Sequence, residues 1–77
     1  MPYHEFFWTE RALKKLTDNG LSREEVEFAV EHADYDGFSR SSGRPVYAGP
    51  APDGRRILVV YEEIDAVLIS VVTAFEI

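Results

Sequence analysis

The chain has 77 residues and no cysteine, so it suits one small domain and can form neither a disulfide nor a thiolate metal site. Its formal net charge of −6 opposes non-specific nucleic-acid binding, because the summed field repels phosphate. The start does not have the pattern of a signal peptide, and the longest apolar run, residues 66–75, is about half of the ~20 residues that span a bilayer. We expect a cytoplasmic protein with no membrane association.

The first strand and the first helix are predicted from residues 4–20. Residues 4–9, HEFFWT, are rich in aromatic side chains, which is typical of a short strand. Thr9 is a preferred N-cap residue, so a helix is predicted over 10–19, with Gly20 as its left-handed stop.

The second helix has the clearest local signal in the chain. Ser22 and Glu25 have the spacing of a capping box, in which each side chain accepts a hydrogen bond from the other residue's backbone N–H. The helix is predicted to continue to about Ala33. Its apolar residues recur at the i, i+3, i+4, i+7 spacing of a buried stripe, namely Val26, Ala29, Val30 and Ala33.

After residue 34 the apolar pattern changes to a period of two, which indicates strands. Strands are predicted over 35–40, 44–49, 55–63 and 66–77, with turns at 41–43, 51–54 and 64–65. The order of elements is therefore β-α-α-β-β-β-β. This order predicts a single α+β domain over 1–77, with two N-terminal helices packed on one face of a twisted antiparallel sheet.

Both faces of the last two predicted strands are apolar. Within 55–63, Ile57 and Val59 alternate with Leu58 and Val60. In the last strand, alternation places Phe75 with Val67, Ile69 and Val71, opposite Leu68, Val72 and Ala74. Because two helices cover one face only, we expect a partner protein, a second copy of the chain or a ligand to cover the other face.

Arginines are concentrated in residues 39–61, where Asp53 is the single acid and the local charge is +3. Guanidinium groups match phosphate geometry, and tyrosines can stack on bases or donate protons. Alternatively, the arginines are strand-end charges that pair with Glu62, Glu63 or Asp65. Adjacent strand residues point to opposite faces, so at most one of Arg55 and Arg56 can share a surface with Arg44.

Three stretches together resemble the RelE/ParE-like toxin superfamily, in particular its BrnT-like branches. They are WTERALKKLTDNGLSREEVEFAV, GRPVYAGPAPDGRRILVVYE and VVTAFE. The resemblance implies a cytoplasmic type II toxin that pairs with an antitoxin protein. It also implies cleavage of mRNA on a basic and aromatic sheet surface. The residues themselves predict no metal or other cofactor, because His32 with Asp34 and Asp36 matches no strong metal-binding spacing.

The resemblance assigns roles by position. The catalytic candidates are Arg44, Arg56 and Tyr61, and the RNA-binding candidates are Arg40, Arg55 and Tyr47. The chain departs from active toxins of this type in its net charge of −6, and from some relatives in having Arg11 where they carry a histidine. These departures favour an alternative, a non-catalytic interaction module that binds a partner, or itself as a homodimer, through the uncovered sheet face.

Overall fold

The computed structural model describes residues 5–77, and His4, where the first predicted strand begins, lies outside them. The α+β class and the β-α-α-β-β-β-β order are confirmed. The elements are β1 (Glu5–Phe7), α1 (Glu10–Asp18), α2 (Arg23–Glu31), β2 (Tyr35–Phe38), β3 (Pro45–Pro50), β4 (Arg56–Glu63) and β5 (Leu68–Glu76).

The five strands form one sheet in the order β1-β5-β4-β3-β2. Strands β2 to β5 form an antiparallel meander, as predicted. Strand β1 pairs in parallel with β5, so the sheet is mixed. A parallel pair cannot be closed by a tight hairpin turn, and β1 and β5 meet this condition because all the other elements lie between them in the chain.

Both predicted helix N-caps are confirmed. The Thr9 side chain accepts a hydrogen bond from the backbone N–H of Ala12 at 3.1 Å. Ser22 and Glu25 exchange both hydrogen bonds of a capping box. Helix α2 ends at Glu31, two residues before the predicted end, with His32 as its C-cap.

Residues of both helices and of β4 and β5 form one core cluster, and Phe6 of β1 and Tyr47 of β3 pack against it. Leu16 of α1 and Val26 of α2 are fully buried in it. From the strands it takes Ile57, Val59, Tyr61, Ile69, Val71 and Ala74. We call the side of the sheet that carries these residues the covered face, and the opposite side the open face.

Helix α2 lies directly on β3 at Gly49. A Cβ at this position would overlap the backbone carbonyl oxygen of Ala29 and lie 3.0 Å from the Cα of Ala33. Both atoms belong to the backbone, which moves less readily than a side chain. The absent side chain of Gly49 therefore sets how closely helix and sheet approach.

Among the strands, helix α1 packs mainly on β5. Strand β1 pairs with residues 68–70 of β5, so no strand within residues 5–77 lies beside the later part of β5 on that edge. The side-chain amide of Asn19 donates a hydrogen bond to the carbonyl oxygen of Ala74 at 2.9 Å. Helix α1 thus protects an edge that would otherwise expose unpaired backbone groups.

A β-bulge in β5 overturns one prediction from alternation. Tyr61 pairs with Val71 but Val60 pairs with Thr73, so Val72 has no partner on β4. Beyond this extra residue the two faces exchange. As a result, Ala74 lies in the core, whereas Phe75 faces away from it, contrary to the prediction that grouped Phe75 with Val71.

The open face is apolar at its centre, as predicted, but its central side chains are already buried. Val46, Ala48 and Val60 are buried, although none belongs to the core cluster under the helices. The ring of Tyr35 lies over Gly37 on this face. Larger neighbouring side chains therefore shield the small central residues of the open face.

Candidate functional site

The arginines of the β3–β4 region are paired with acids. Arg44 Nε lies 2.9 Å from Glu62 Oε1. Both terminal nitrogens of Arg56 donate to the two oxygens of Asp34, at 2.8 Å each. These hydrogen bonds are the main reason why the pKa of Asp34 lies below its usual value, and the positive charge of Arg56 lowers it further. The predicted strand-end pairing is thus found for Arg44 with Glu62, whereas Arg56 pairs with Asp34, which was not among the predicted partners.

Arg55 is the most connected of these arginines. Its Nε donates to Asp53 Oδ2 at 2.7 Å, which is the main reason why the pKa of Asp53 is lowered. Its Nη2 bonds Glu25, the residue whose other carboxylate oxygen completes the capping box of α2. Arg55 therefore joins the turn before β4 to the start of α2, which is a structural role.

Alternation along β4 separates Arg55 from Arg56. Arg55 reaches α2 on the covered face, whereas Arg56 lies on the open face with Leu58. Arg44 also lies at the open face, because its partner Glu62 is there. Arg56 and Glu62 are six positions apart along β4, which is about 20 Å. Arg44 and Arg56 thus share a face but occupy its opposite ends.

Tyr61 and Tyr47 lie on the covered face. Their rings stack with centroids 4.7 Å apart and planes 9° from parallel. Tyr61 is buried in the core, and Tyr47 packs against it. Burial is the main reason why the pKa of Tyr61 is raised, and the hydrogen bond with Tyr47 raises it further. The structure therefore does not bring Tyr61 together with Arg44 and Arg56, although the three were predicted as one catalytic group.

Arg40 lies exposed in the turn that connects β2 and β3. The backbone N–H of Gly43 donates to Ser39, and that of Ser39 donates to Arg44, which closes this turn. Within residues 5–77, Arg40 forms no ion pair.

A cavity of about 320 Å³ lies between α1 and the end of the open face where Arg44 is found. Arg11 and Lys15, one helical turn apart on α1, contribute two further cations to it. We call it the α1 cavity, and its lining residues are Thr9, Arg11, Ala12, Lys15, Arg44, Glu62, Ser70, Val71 and Val72.

The two α1 cations differ from the arginines of the β3–β4 region in their pairing. No described residue forms an ion pair with Arg11 or Lys15. Arg44 forms an ion pair with Glu62, which also lines the cavity. The α1 cavity is therefore lined by three cations and one carboxylate. It also contains the side chain of Ser70, a hydrogen-bond donor and acceptor. An anion with several oxygens, such as a phosphate ester, suits this set of groups.

Sequence reasoning named Arg44 but did not include Arg11, Lys15, Glu62 or Ser70 in a site. In the sequence, Arg11 and Lys15 fit the solvated side of an amphipathic helix. The i, i+4 spacing of two cations was the available signal, but it does not show what they face. Their proximity to Arg44 depends on α1 lying along β5.

Neither helix within residues 5–77 has the length and apolar character needed to cross a membrane. Comparisons of the chain with protein-family models, with curated proteins and with solved structures find no match. The resemblance to RelE/ParE-like toxins therefore stays a prediction.

Proposed function

We propose that this protein binds the phosphate backbone of RNA in the α1 cavity and cleaves the strand there, as an endoribonuclease of the toxin type. The observation that carries the proposal is the convergence of Arg11, Lys15 and Arg44 on one cavity. Two of these cations have no acidic partner within residues 5–77, so they can bind an anion without breaking an existing ion pair.

The groups in the cavity can support cleavage by the RNA's own 2′-hydroxyl. In that reaction the 2′-oxygen attacks phosphorus, the bond to the 5′-oxygen breaks, and a 2′,3′-cyclic phosphate and a 5′-hydroxyl form. Glu62 accepts the proton of the 2′-hydroxyl, and the Lys15 ammonium supplies one to the departing 5′-oxygen. Arg11 and Arg44 stabilise the negative charge that develops on the phosphate oxygens.

The proposed site keeps one member of the predicted catalytic group. Arg44 lies in the cavity, Arg56 is about 20 Å along β4 from Glu62, and Tyr61 is buried on the other face. In this proposal Arg56 and Tyr61 stabilise the fold rather than contact RNA.

Inducible expression in a bacterial host tests this function, with growth and RNA integrity as readouts. We expect growth arrest and RNA cleavage from the wild type. Arg11→Ala should reduce the cleavage rate of the purified protein roughly 100-fold, the effect of removing one transition-state charge contact. Lys15→Ala should reduce it at least about 100-fold, the effect of removing a general acid. Glu62→Gln should also remove cleavage.

Lys14→Ala is the matched control, because Lys14 neighbours Lys15 on α1 but does not line the cavity. Arg56→Ala is a second control, and both variants should still arrest growth. A wild-type chain that accumulates to high yield with normal growth and intact RNA would contradict the proposal. Equal losses from Lys14→Ala and Lys15→Ala would show that general charge, not this cavity, is responsible.

A second candidate function, protein interaction through the open face, is favoured by its exposed aromatic side chains. Phe7, Tyr35 and Phe75 are 50%, 54% and 38% exposed there. Such a surface suits an antitoxin or a second copy of the chain. Sedimentation and pull-down experiments test this alternative, and a monomer that captures no partner would argue against it.

A further inference from the structure

Phe7 is an exposed ring beside the α1 cavity. Its neighbours Phe6 and Trp8 pack against the core, so alternation turns Phe7 to the open face. Half of its side chain is accessible, and the core does not use it. Phe7 pairs in the sheet with Ser70, which lines the cavity.

Phe7 belongs to a row of paired residues that runs across neighbouring strands toward Arg44. Ser70 pairs in turn with Glu62, and Glu62 bonds Arg44. Neighbouring strands lie about 4.8 Å apart, so the backbone of Phe7 is about 10 Å from that of Glu62. Phe7 therefore lies at one end of a row that has Arg44 at the other end, with the cavity alongside.

We propose that Phe7 stacks against an unpaired base of the nucleic-acid strand whose phosphate occupies the α1 cavity. This inference rests on the proposed function, and it adds a base-binding position to a phosphate-binding site. An exposed aromatic ring beside cations is the combination that binds single strands, because every base has a face to stack and every linkage has a charge.

The stacking role also determines the class of substrate. In a duplex both faces of a base are covered by its neighbours, so Phe7 can reach only a base in a single strand, loop or end. The protein is thus expected to select unpaired segments without reading a sequence, since Phe7 offers no hydrogen bond to a base edge.

Two probes separate the phosphate site from the base position. Inorganic pyrophosphate tests the cavity alone. A single-stranded 2′-O-methyl oligonucleotide, which cannot be cleaved by 2′-hydroxyl attack, tests the cavity and the ring together. Binding is measured at low ionic strength by calorimetry and by fluorescence anisotropy of a labelled strand, with the corresponding duplex as a comparison.

We expect Phe7→Ala to lower the affinity for the single strand about 5- to 100-fold, the effect of losing one stacked base. Its affinity for pyrophosphate should be unchanged. Phe7→Tyr keeps the ring and should restore strand binding. Phe75→Ala, which removes an aromatic side chain elsewhere on the open face, should leave both affinities unchanged.

Any other outcome would overturn the inference, and the two probes would show whether the stacking role or the phosphate site is wrong. If Phe7→Ala binds the strand as the wild type does, or if duplex and single strand bind equally, Phe7 is not a stacking residue and the proposed function stands. If Phe7→Ala loses pyrophosphate binding too, Phe7 supports the cavity structurally. If the wild type binds neither probe, the phosphate site itself is wrong, and the proposed function fails with it.

Discussion

The covered and open faces of the sheet have similar apolar patterns in the sequence but very different surroundings in the fold. On the covered face, Ile57 and Val59 are buried in the core cluster, which also contains residues of both helices. On the open face, Val46 and Val60 are shielded by the side chains around them, and ion pairs lie at both ends of the face. An apolar strand pattern therefore shows that a side chain is buried, but not what buries it.

The same contrast applies to the charged groups. Arg55, on the covered side, joins a turn to a helix. Arg44, on the open side, borders a cavity with two cations of α1 that form no ion pair within residues 5–77. The covered face thus holds the fold together, whereas the open face and its margin provide the groups that can bind a ligand. Three predictions test this difference.

The largest effect is expected from truncating neighbouring residues of β4 that point to opposite faces. Ile57 is fully buried under the helices, and Ile57→Ala should lower the free energy of unfolding by about 2–5 kcal/mol. Leu58 is half-buried on the open face, so Leu58→Ala should cost only about 1 kcal/mol. Urea unfolding monitored by circular dichroism measures both. If Leu58→Ala lowers the free energy of unfolding as much as Ile57→Ala does, the open face is covered in solution. That result would favour the alternative function, a non-catalytic module that binds a partner or a second copy of the chain.

An intermediate effect is expected from adding a methyl group at two strand glycines. Gly49→Ala forces a Cβ against the backbone of α2, so we expect a loss of about 1–3 kcal/mol. Gly37→Ala on the open face meets only the Tyr35 ring, which can rotate away, and should change stability by less than about 0.5 kcal/mol. Thermal and urea unfolding compare the two variants. A loss from Gly49→Ala as small as that from Gly37→Ala would contradict the close contact inferred at Gly49.

The smallest effect concerns the hydroxyl of Tyr61 and its pH dependence. Its pKa is higher in the folded state than the ordinary value of about 10, so its contribution to stability is complete below about pH 10 and is lost as the pH rises through the folded pKa. Tyr61→Phe should cost about 1 kcal/mol at neutral pH through the lost hydrogen bond. The difference from the wild type should shrink above about pH 10, by at most about 1.4 kcal/mol per pH unit.

Urea midpoints of the wild type and Tyr61→Phe between about pH 8 and pH 11 measure this difference. Subtracting one curve from the other removes the titration of the other tyrosines and of the lysines. A constant difference across this range would show that the Tyr61 hydroxyl reaches solvent, and would move Tyr61 back among the groups that can contact a substrate.

Local signals predicted most of the fold. Thr9 and the Ser22–Glu25 capping box mark helix starts through side chains that bond backbone groups three residues away, so these positions can be read directly from the chain. The meander likewise follows from a period of two. The β-bulge at Val72 was not predictable, because an extra residue in an apolar run leaves no trace in composition, and it moved Phe75 and Ala74 to opposite faces.

The candidate site was predicted only in part, for a similar reason. Arg44 was identified because it lies in a stretch with a local charge of +3. That charge is offset in the fold by acids distant in sequence, Glu25 and Asp34 among them. Arg11 and Lys15 were not identified, because their position depends on where α1 lies against the sheet.

By itself, the sequence determined the α+β class, the order of the elements, the helix caps and the presence of apolar residues on both faces of the sheet. These features depend on interactions between residues a few positions apart. The tertiary structure alone decided which arginine lies on which face, which cations are neutralised, and which converge on a cavity. Those outcomes depend on pairings across 18 to 30 residues, such as Arg44 with Glu62 and Arg55 with Glu25. Only the packed sheet and helices bring such residues within bonding distance.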